Sequence, residues 1–164
     1  MLSSDRRRFL ALISTPLALS ACGFQPIYGK DSAAAQMRGR ITLGPVGNLN
    51  GFQMREYLET RLGAANNPTH ALEVSLSTNR KGLAITQDGA ITRYNLSGEA
   101  SFTVQKIGGA VVLRDTVQTF TAYNATASAY ATRVAQKDAY RRLVESLADK
   151  ILTTMAISAE SWLS

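Results

Sequence analysis

The residue with the most specific chemistry in this chain is Cys22, the only cysteine of the sequence. Leu19, Ser20 and Ala21 precede it, and this is the pattern of a lipobox: an aliphatic residue three positions before the cysteine, then two small residues. Small side chains let a signal peptidase reach the bond before Cys22, and the thiol is the nucleophile that takes up diacylglycerol. The pattern therefore predicts lipidation of Cys22. The alternative is an ordinary cleavable signal, which would leave a spare thiol in an oxidising compartment.

The residues before Cys22 have the composition of an export signal. A basic cluster, Arg6 to Arg8, is followed by an apolar run from Phe9 to Leu19, which is shorter than the roughly 20 apolar residues needed to span a bilayer. We expect residues 1–21 to be removed. The order Arg6-Arg7-Arg8-Phe9-Leu10 fits a twin-arginine signal, although Asp5 stands where Ser or Thr is usual. The twin-arginine and general secretory routes both stay open.

Residues that could catalyse a reaction are few. His70 is the only histidine, and Glu73, Asp88 and Glu99 are expected on polar strand faces or in a turn, with no partner set by spacing. No metal-ligand cluster or phosphate-binding loop is visible in the sequence. We therefore predict a protein that is not an enzyme and needs no cofactor or metal, with His70 at the surface or in a loop. A site made of carboxylates alone leaves no sequence pattern and stays an open alternative.

The charge of the chain favours some partners over others. The 164 residues carry a net charge of +6, part of which belongs to the predicted signal, and the remaining basic residues are scattered. Such a surface suits an anionic partner, for example a phosphorylated lipid or an acidic protein lumen, or solvent alone. Scattered charge and export together exclude a nucleic-acid binder.

The elements that must position any binding site are visible as changes of hydrophobic period. A period of two predicts strands, and a period near 3.6 predicts helices. The predicted elements are a strand over 40–46, a helix over 51–62, strands over 71–87, 90–106 and 110–123, and a helix over 127–158. Asn48 or Asn50 is expected to cap the first helix and Gly63 to end it, while Asp88-Gly89 and Gly108-Gly109 predict two hairpins.

The same periods predict which side chains are buried. In the strands, Leu72, Leu96, Phe102 and Val111 represent an apolar face, opposite a face of Ser, Thr and Asn that also carries Phe120 in the last strand. The first helix is expected to bury Phe52, Tyr57, Leu58 and Leu62, and the last helix a stripe at every fourth residue: Ala131, Ala135, Ala139, Leu143, Leu147 and Ile151. This order predicts an α+β fold, with two helices packed on one face of a four-stranded mixed sheet (order β-α-β-β-β-α). The first strand should pair in parallel through a right-handed crossover.

The segment next to the cysteine carries a resemblance to a known family. Residues 21–29, read as ACGFQPIYG, resemble the cysteine-adjacent signature of the lipopolysaccharide-assembly lipoprotein family LptE, in its alphaproteobacterial form. The order of elements and the start of the last helix are also similar to that family. The resulting division is a cleaved signal at 1–21, a lipidated cysteine and linker at 22–37, and a single α+β domain at 38–164.

This resemblance implies a function and a set of partners. Proteins of the family are lipoproteins on the periplasmic face of the outer membrane, which sit in the lumen of the β-barrel LptD, assist its assembly and help deliver lipopolysaccharide to the outer leaflet. Cations near the first hairpin and at the start of the last helix are implied to meet lipid phosphates; here these are Arg80, Lys81, Arg93 and Arg133. Solvent exposure without a ligand stays an alternative for each cation. For the whole chain, the alternative is another periplasmic lipoprotein, a scaffold or assembly factor that does not bind lipopolysaccharide.

Overall fold

The computed structural model describes residues 29, 32–85, 89 and 91–163. The helices and strands in these ranges are, in order, α1 (Ala33–Met37), β1 (Ile41–Leu43), α2 (Asn48–Leu62), β2 (His70–Ile85), β3 (Ile91–Lys106), β4 (Val111–Asn124), α3 (Ala129–Ile157) and α4 (Ala159–Trp162). The predicted signal, Cys22, residues 23–28 and the hairpin residues 86–88 lie outside the described residues. No helix within the described ranges combines the length and the apolar character needed to cross a bilayer.

The four strands form a mixed sheet in the order β1-β2-β3-β4. Strand β1 runs parallel to β2, whereas β2 with β3 and β3 with β4 are antiparallel hairpins. These pairings confirm the predicted α+β fold and its parallel first strand. Strand β1 is shorter than the predicted 40–46 because Gly44-Pro45 follows it at once. The Gly44 amide still donates to the Leu72 carbonyl at 2.9 Å.

The sheet has one covered face and one uncovered face. On the covered side, here called the helix face, β2 and β3 bury side chains that are at most 1% exposed: Leu72, Leu96, Ala100, Phe102 and Val104. The other side, here called the open face, carries the intervening polar residues of β2, β3 and β4. The period-two prediction is therefore confirmed for these strands, except that Val111, predicted to be buried, is 46% exposed at the start of β4.

Helix α3 approaches the sheet most closely at Gly98 of β3. A Cβ atom at this position would lie 2.9 Å from Leu147 Cδ1 and 3.1 Å from Leu143 Cδ2, both fully buried. The absence of a side chain at Gly98 therefore lets two core leucines of α3 rest directly on the strand.

The structure corrects the prediction for the first helix. Gly47 is its N-cap, in extended backbone and without a side-chain capping bond, so neither Asn48 nor Asn50 is the cap. Phe52 is 63% exposed, whereas Met54 is fully buried above Leu58. Two residues turn a helix by about 200°. Placing Phe52 on the buried face was thus wrong by half a helical turn. The C-terminal end at Gly63, with φ of 76°, is confirmed.

The last helix is predicted correctly in type but only partly in burial. It runs from Ala129 to Ile157, with the Ser128 hydroxyl accepting a hydrogen bond from the Ala131 amide. The predicted stripe is buried from Ala139 onward, but Ala131 is exposed and Ala135 only half-buried. Periodicity identifies the apolar face of a helix but not how much of that face a neighbouring element covers.

One end of the core, here called the base, is closed by elements that the sequence did not reveal. Helix α1 lies within the span expected to be a linker, and its Met37 is 1% exposed. Helix α4 places Trp162, 2% exposed, edge-on against the His70 ring at 5.3 Å between centroids. His70 is thus a core residue, 4% exposed, rather than the surface or loop histidine that was expected.

The His70 ring sits in surroundings that disfavour its charged form. Its Nδ1 lies 2.9 Å from Thr69 Oγ1, and its buried Nε2 makes no hydrogen bond of normal geometry with the described residues, although the Trp162 backbone lies nearby. Burial lowers the pKa of His70. The cations Lys106 and Arg40 lower it further, against an opposing effect of the Trp162 backbone.

Replacing Gly98 with alanine should destabilise the fold. The new methyl group would crowd Leu143 and Leu147, and this overpacking lowers the free energy of unfolding by about 1–3 kcal/mol. Alanine also restricts the unfolded chain, but that effect raises the free energy of unfolding by only about 0.4–1 kcal/mol. Gly47→Ala is the matched control: its Cβ would meet nothing within 4 Å, so the same gain from a stiffer unfolded chain is opposed only by the weaker capping preference of alanine, about 0.5 kcal/mol. Denaturant unfolding of the mature chain measures both. Equal stability of the two variants would contradict the close approach at Gly98.

His70 should make the fold sensitive to mild acid. Because its pKa is lowered on folding, the unfolded chain binds more protons between the folded pKa and about 6.5. The free energy of unfolding should therefore fall as the pH drops below about 6.5, and His70→Phe, which keeps an aromatic ring beside Trp162, should flatten that part of the profile. The pKa of Asp138 is lowered chiefly by hydrogen bonds from Arg141 and Arg142, so this residue changes the free energy of unfolding only at a lower pH. Parallel pH profiles for the two proteins would overturn this role of His70.

Candidate functional site

The four cations singled out in the sequence separate into different surroundings. Lys81 and Arg93 are exposed and lie on the open face, near the end of the sheet where β2 turns into β3. The Cα partner of Lys81 is Asn95, and Arg93 lies two residues from Asn95 on β3, so its side chain is on the same face, although the register shifts between Gly82 and Ala84. Neither cation forms an ion pair with a carboxylate of the described residues. We call this end of the sheet, opposite the base, the cationic end.

Arg80 precedes Lys81 but points to the helix face, because successive side chains alternate along a strand. Its guanidinium lies 5.0 Å from the centre of the Tyr94 ring, and Nη1 donates to Tyr123 Oη at 3.5 Å. Tyr94 and Tyr123 stack on each other, with centroids 5.2 Å apart and planes inclined by 17°. The pKa of Arg80 is raised, chiefly by its hydrogen bond with Tyr123. Two tyrosine rings therefore orient this guanidinium while it stays exposed.

Arg133 lies on the second turn of α3 and lines a depression of about 430 Å³ between this helix and the start of α2. The residues that line the depression are Leu49, Asn50, Gln53, Arg133, Gln136, Lys137 and Tyr140. Leu49 is 75% exposed, so the depression combines cations with apolar surface.

The structure thus places Lys81 and Arg93 on one face of the sheet, whereas Arg80 and Arg133 lie on the helix side, where Tyr140 is near enough to affect both surroundings. This tyrosine lines the depression of Arg133 and also contributes to the raised pKa of Arg80. Sequence reasoning missed Lys137 and Tyr140 as parts of this surface. Their spacing from Arg133, four and seven residues along one helix, is the signal that places all three on one side of α3.

The open face also holds a groove of about 530 Å³, here called the Phe120 groove. Its lining is formed by residues of β2, β3 and β4: Ser77, Asn79, Asn95, Ser97, Gly98, Glu99, Gln118, Thr119 and Phe120. Phe120 is 76% exposed, although most of the other lining side chains are amides and hydroxyls. Glu99 Oε2 accepts a hydrogen bond from Gln118 Nε2 at 2.6 Å, which fixes both side chains across the β3–β4 pair.

A cluster of titratable side chains away from these surfaces joins two helices. Tyr57 donates to the Asp149 carboxylate at 3.1 Å and accepts from Arg61 Nη2 at 2.6 Å, which joins α2 to α3. Burial is the largest cause of the raised pKa of Tyr57. Within the described ranges, no three residues of the His, Cys, Asp and Glu types come close enough to hold a metal ion.

Comparisons with known proteins agree with this architecture. A family model described as LptE, lipopolysaccharide-assembly, matches residues 39–155. No curated protein matches the chain. Similar solved structures include a lipoprotein from Caulobacter crescentus CB15, 19% identical with a TM-score of 0.64 over 80% of this chain and 98% of that one.

Two further structures have the same fold. The rare lipoprotein B from Shewanella oneidensis is 19% identical, with a TM-score of 0.56 over 76% of this chain and 99% of that one. A minor lipoprotein from Acinetobacter baumannii is 16% identical, with a TM-score of 0.56 over 73% and 92%.

Proposed function

Because the chain belongs to the LptE family of lipopolysaccharide-assembly proteins, we propose that it is an outer-membrane lipoprotein that sits in the lumen of an LptD β-barrel. In this proposal it assists assembly of the barrel and helps deliver lipopolysaccharide to the outer leaflet. The role requires neither an enzymatic step nor a cofactor. Acyl chains on Cys22 hold the protein at the periplasmic face, since more than one buried chain gives stable anchoring.

The observation that carries the proposal is the placement of the two ends of the domain. Helix α1, the first described helix after Cys22, lies at the base, where its residues line a depression together with Leu62 and Leu152, at the ends of α2 and α3. Lys81 is on the same strand as His70, whose ring is at the base. At 3.3 Å a residue, the strand between them is about 36 Å long. This exceeds the roughly 30 Å hydrocarbon core of a bilayer, so a domain tethered at the inner leaflet can carry its cations to the level of the outer leaflet inside a barrel.

The open face supports residence in a wet lumen. Apart from a few exposed apolar residues such as Phe120, its side chains are hydroxyls, amides and a few charges, which hydrogen-bond readily to water and to the polar interior of a barrel. A folded domain of this kind fills the lumen and keeps it closed to small solutes. The apolar residues of the helix face are already covered by α2 and α3.

The cationic end supports contact with lipid phosphates. Charge-assisted hydrogen bonds from Arg or Lys to phosphate are about twice as strong as neutral ones. Lys81 and Arg93 lie close enough together to bind one phosphate from the open face, whereas Arg80 and Arg133 serve the helix side. Binding in this way weakens the cation-bridged packing of lipopolysaccharide and prepares it for insertion.

The barrel interaction predicts a specific partner in a pull-down. Tagged mature protein, extracted from outer membranes in mild detergent, should bring down a large LptD-like barrel in equal amount. Cys22→Ala, which cannot be lipidated, should recover much less. A lipidated and folded sample that recovers no barrel would contradict the proposal and favour a scaffold lipoprotein instead.

The phosphate contact predicts a cation-dependent affinity. Lys81→Ala combined with Arg93→Ala should weaken binding of lipopolysaccharide by about tenfold at low salt, and the difference should shrink as salt is raised. The matched control, Arg55→Ala combined with Arg142→Ala, also removes two positive charges, but these two arginines form ion pairs with Glu59 at 2.8 Å and with Asp138 at 2.9 Å. Equal losses in the double variant and the control would mean that net charge alone, rather than this site, attracts the lipid.

A further inference from the structure

Phe120 is an exposed aromatic side chain on a surface that is otherwise mainly polar. It projects from the polar side of β4 with 76% of its surface exposed, and its cross-strand partner is Ser97. Short side chains on β2 and β3 leave the Phe120 groove open beside the ring. A large apolar side chain that stays exposed on a hydroxyl- and amide-rich face suits a ligand with both apolar and polar surfaces.

Sugar rings have this mixed character. The C–H groups on one face of a pyranose pack on an aromatic ring, while the hydroxyls around its edge donate and accept hydrogen bonds. The groove supplies one flat aromatic surface, and Asn79, Asn95 and Gln118 supply amides that both donate and accept. An aromatic surface with a few placed polar groups is the usual composition of a small-ligand site.

The groove is also held in shape before any ligand arrives. The Glu99 carboxylate accepts from Gln118, and its remaining lone pairs can accept hydroxyl protons from a ligand. One step further along the same strand pair, Ser101 and Thr116 hydroxyls lie 2.9 Å apart. On the other side of the sheet, Lys150 Nζ donates to the Gln118 carbonyl at 2.7 Å and steadies the edge strand. Preformed contacts lower the ordering cost of binding.

The composition of the groove favours a saccharide, rather than another protein, as its ligand. Protein interfaces are enriched in aromatic residues, Met and Arg, and depleted in Ser and Glu. This groove has one aromatic side chain surrounded by serines, asparagines and a glutamate. Lys81 and Arg93, the cations assigned to phosphate, stand further along the same open face.

We propose that the Phe120 groove is a saccharide-binding subsite that stacks a neutral sugar ring on Phe120. This inference rests on the proposed function, because lipopolysaccharide is a lipid that carries both phosphates and an oligosaccharide. In this arrangement the phosphates contact Lys81 and Arg93, and the sugars extend from them along the open face. The lipid is then held by its carbohydrate as well as by its charge.

The test uses the mature lipidated protein in mild detergent and a probe without lipid: the carbohydrate released from lipopolysaccharide by mild acid hydrolysis. Calorimetric titration should detect binding to the unaltered protein. Phe120→Ala should weaken it by about tenfold, since a stacking contact of about 1.4 kcal/mol corresponds to that factor. Phe120→Tyr, which keeps the ring, should bind normally. The control is Phe52→Ala, which removes another exposed ring, 63% exposed on α2, and should have no effect.

Two results would overturn the saccharide subsite. The first is no binding of the released carbohydrate by the unaltered protein; the second is equal affinity of the unaltered protein and Phe120→Ala. If Phe120→Ala instead loses the LptD-like barrel while carbohydrate binding is absent, the groove is a protein contact and the subsite is refuted. In each case, binding of intact lipopolysaccharide and recovery of the barrel by the unaltered protein report separately on the proposed function.

Discussion

Helix α3 covers one face of a four-stranded sheet, and the alternation of side chains along β2, β3 and β4 determines which residues it can bury. Core leucines of α3 rest on the strand at Gly98, where any side chain would intrude. Every residue between the buried positions must then point to the uncovered side. This alternation explains why the core is apolar and the open face mainly polar. It also explains why neighbouring cations lie on opposite faces of the sheet.

The constraint gives adjacent residues different chemical roles. Arg80 and Lys81 are neighbours in the chain, yet Arg80 stacks on Tyr94 on the helix face while Lys81 stands beside Arg93 on the open face. A ligand on the open face therefore meets two cations and a hydroxyl-rich groove on one surface. On the other side, Arg133 and Lys137 border a depression that also exposes Leu49. An amphipathic lipid has polar and apolar parts that match these two surfaces.

The base of the domain is closed by packed side chains, whereas the cationic end is exposed. Trp162 and Met37 close the core there around His70, whose pKa is lowered by burial. Helix α1, the first described helix, lies at the same end. The packed aromatic and apolar residues are thus at one end of the domain, and the exposed cations Lys81 and Arg93 are at the other end of the long β2–β3 hairpin.

The sequence by itself determined the order of the elements, the α+β class and the two faces of the strands, because these depend on hydrophobic period and on turn residues close together in the chain. It also placed Phe120 on the polar face of β4. Tertiary structure alone decided that Met54 rather than Phe52 packs inward, that α1 and α4 close the base, and that His70 is buried. It likewise decided that Tyr140 lines the same depression as Arg133. These outcomes depend on how far one element covers another, and contacts between residues distant in the chain leave no periodic signal in the sequence.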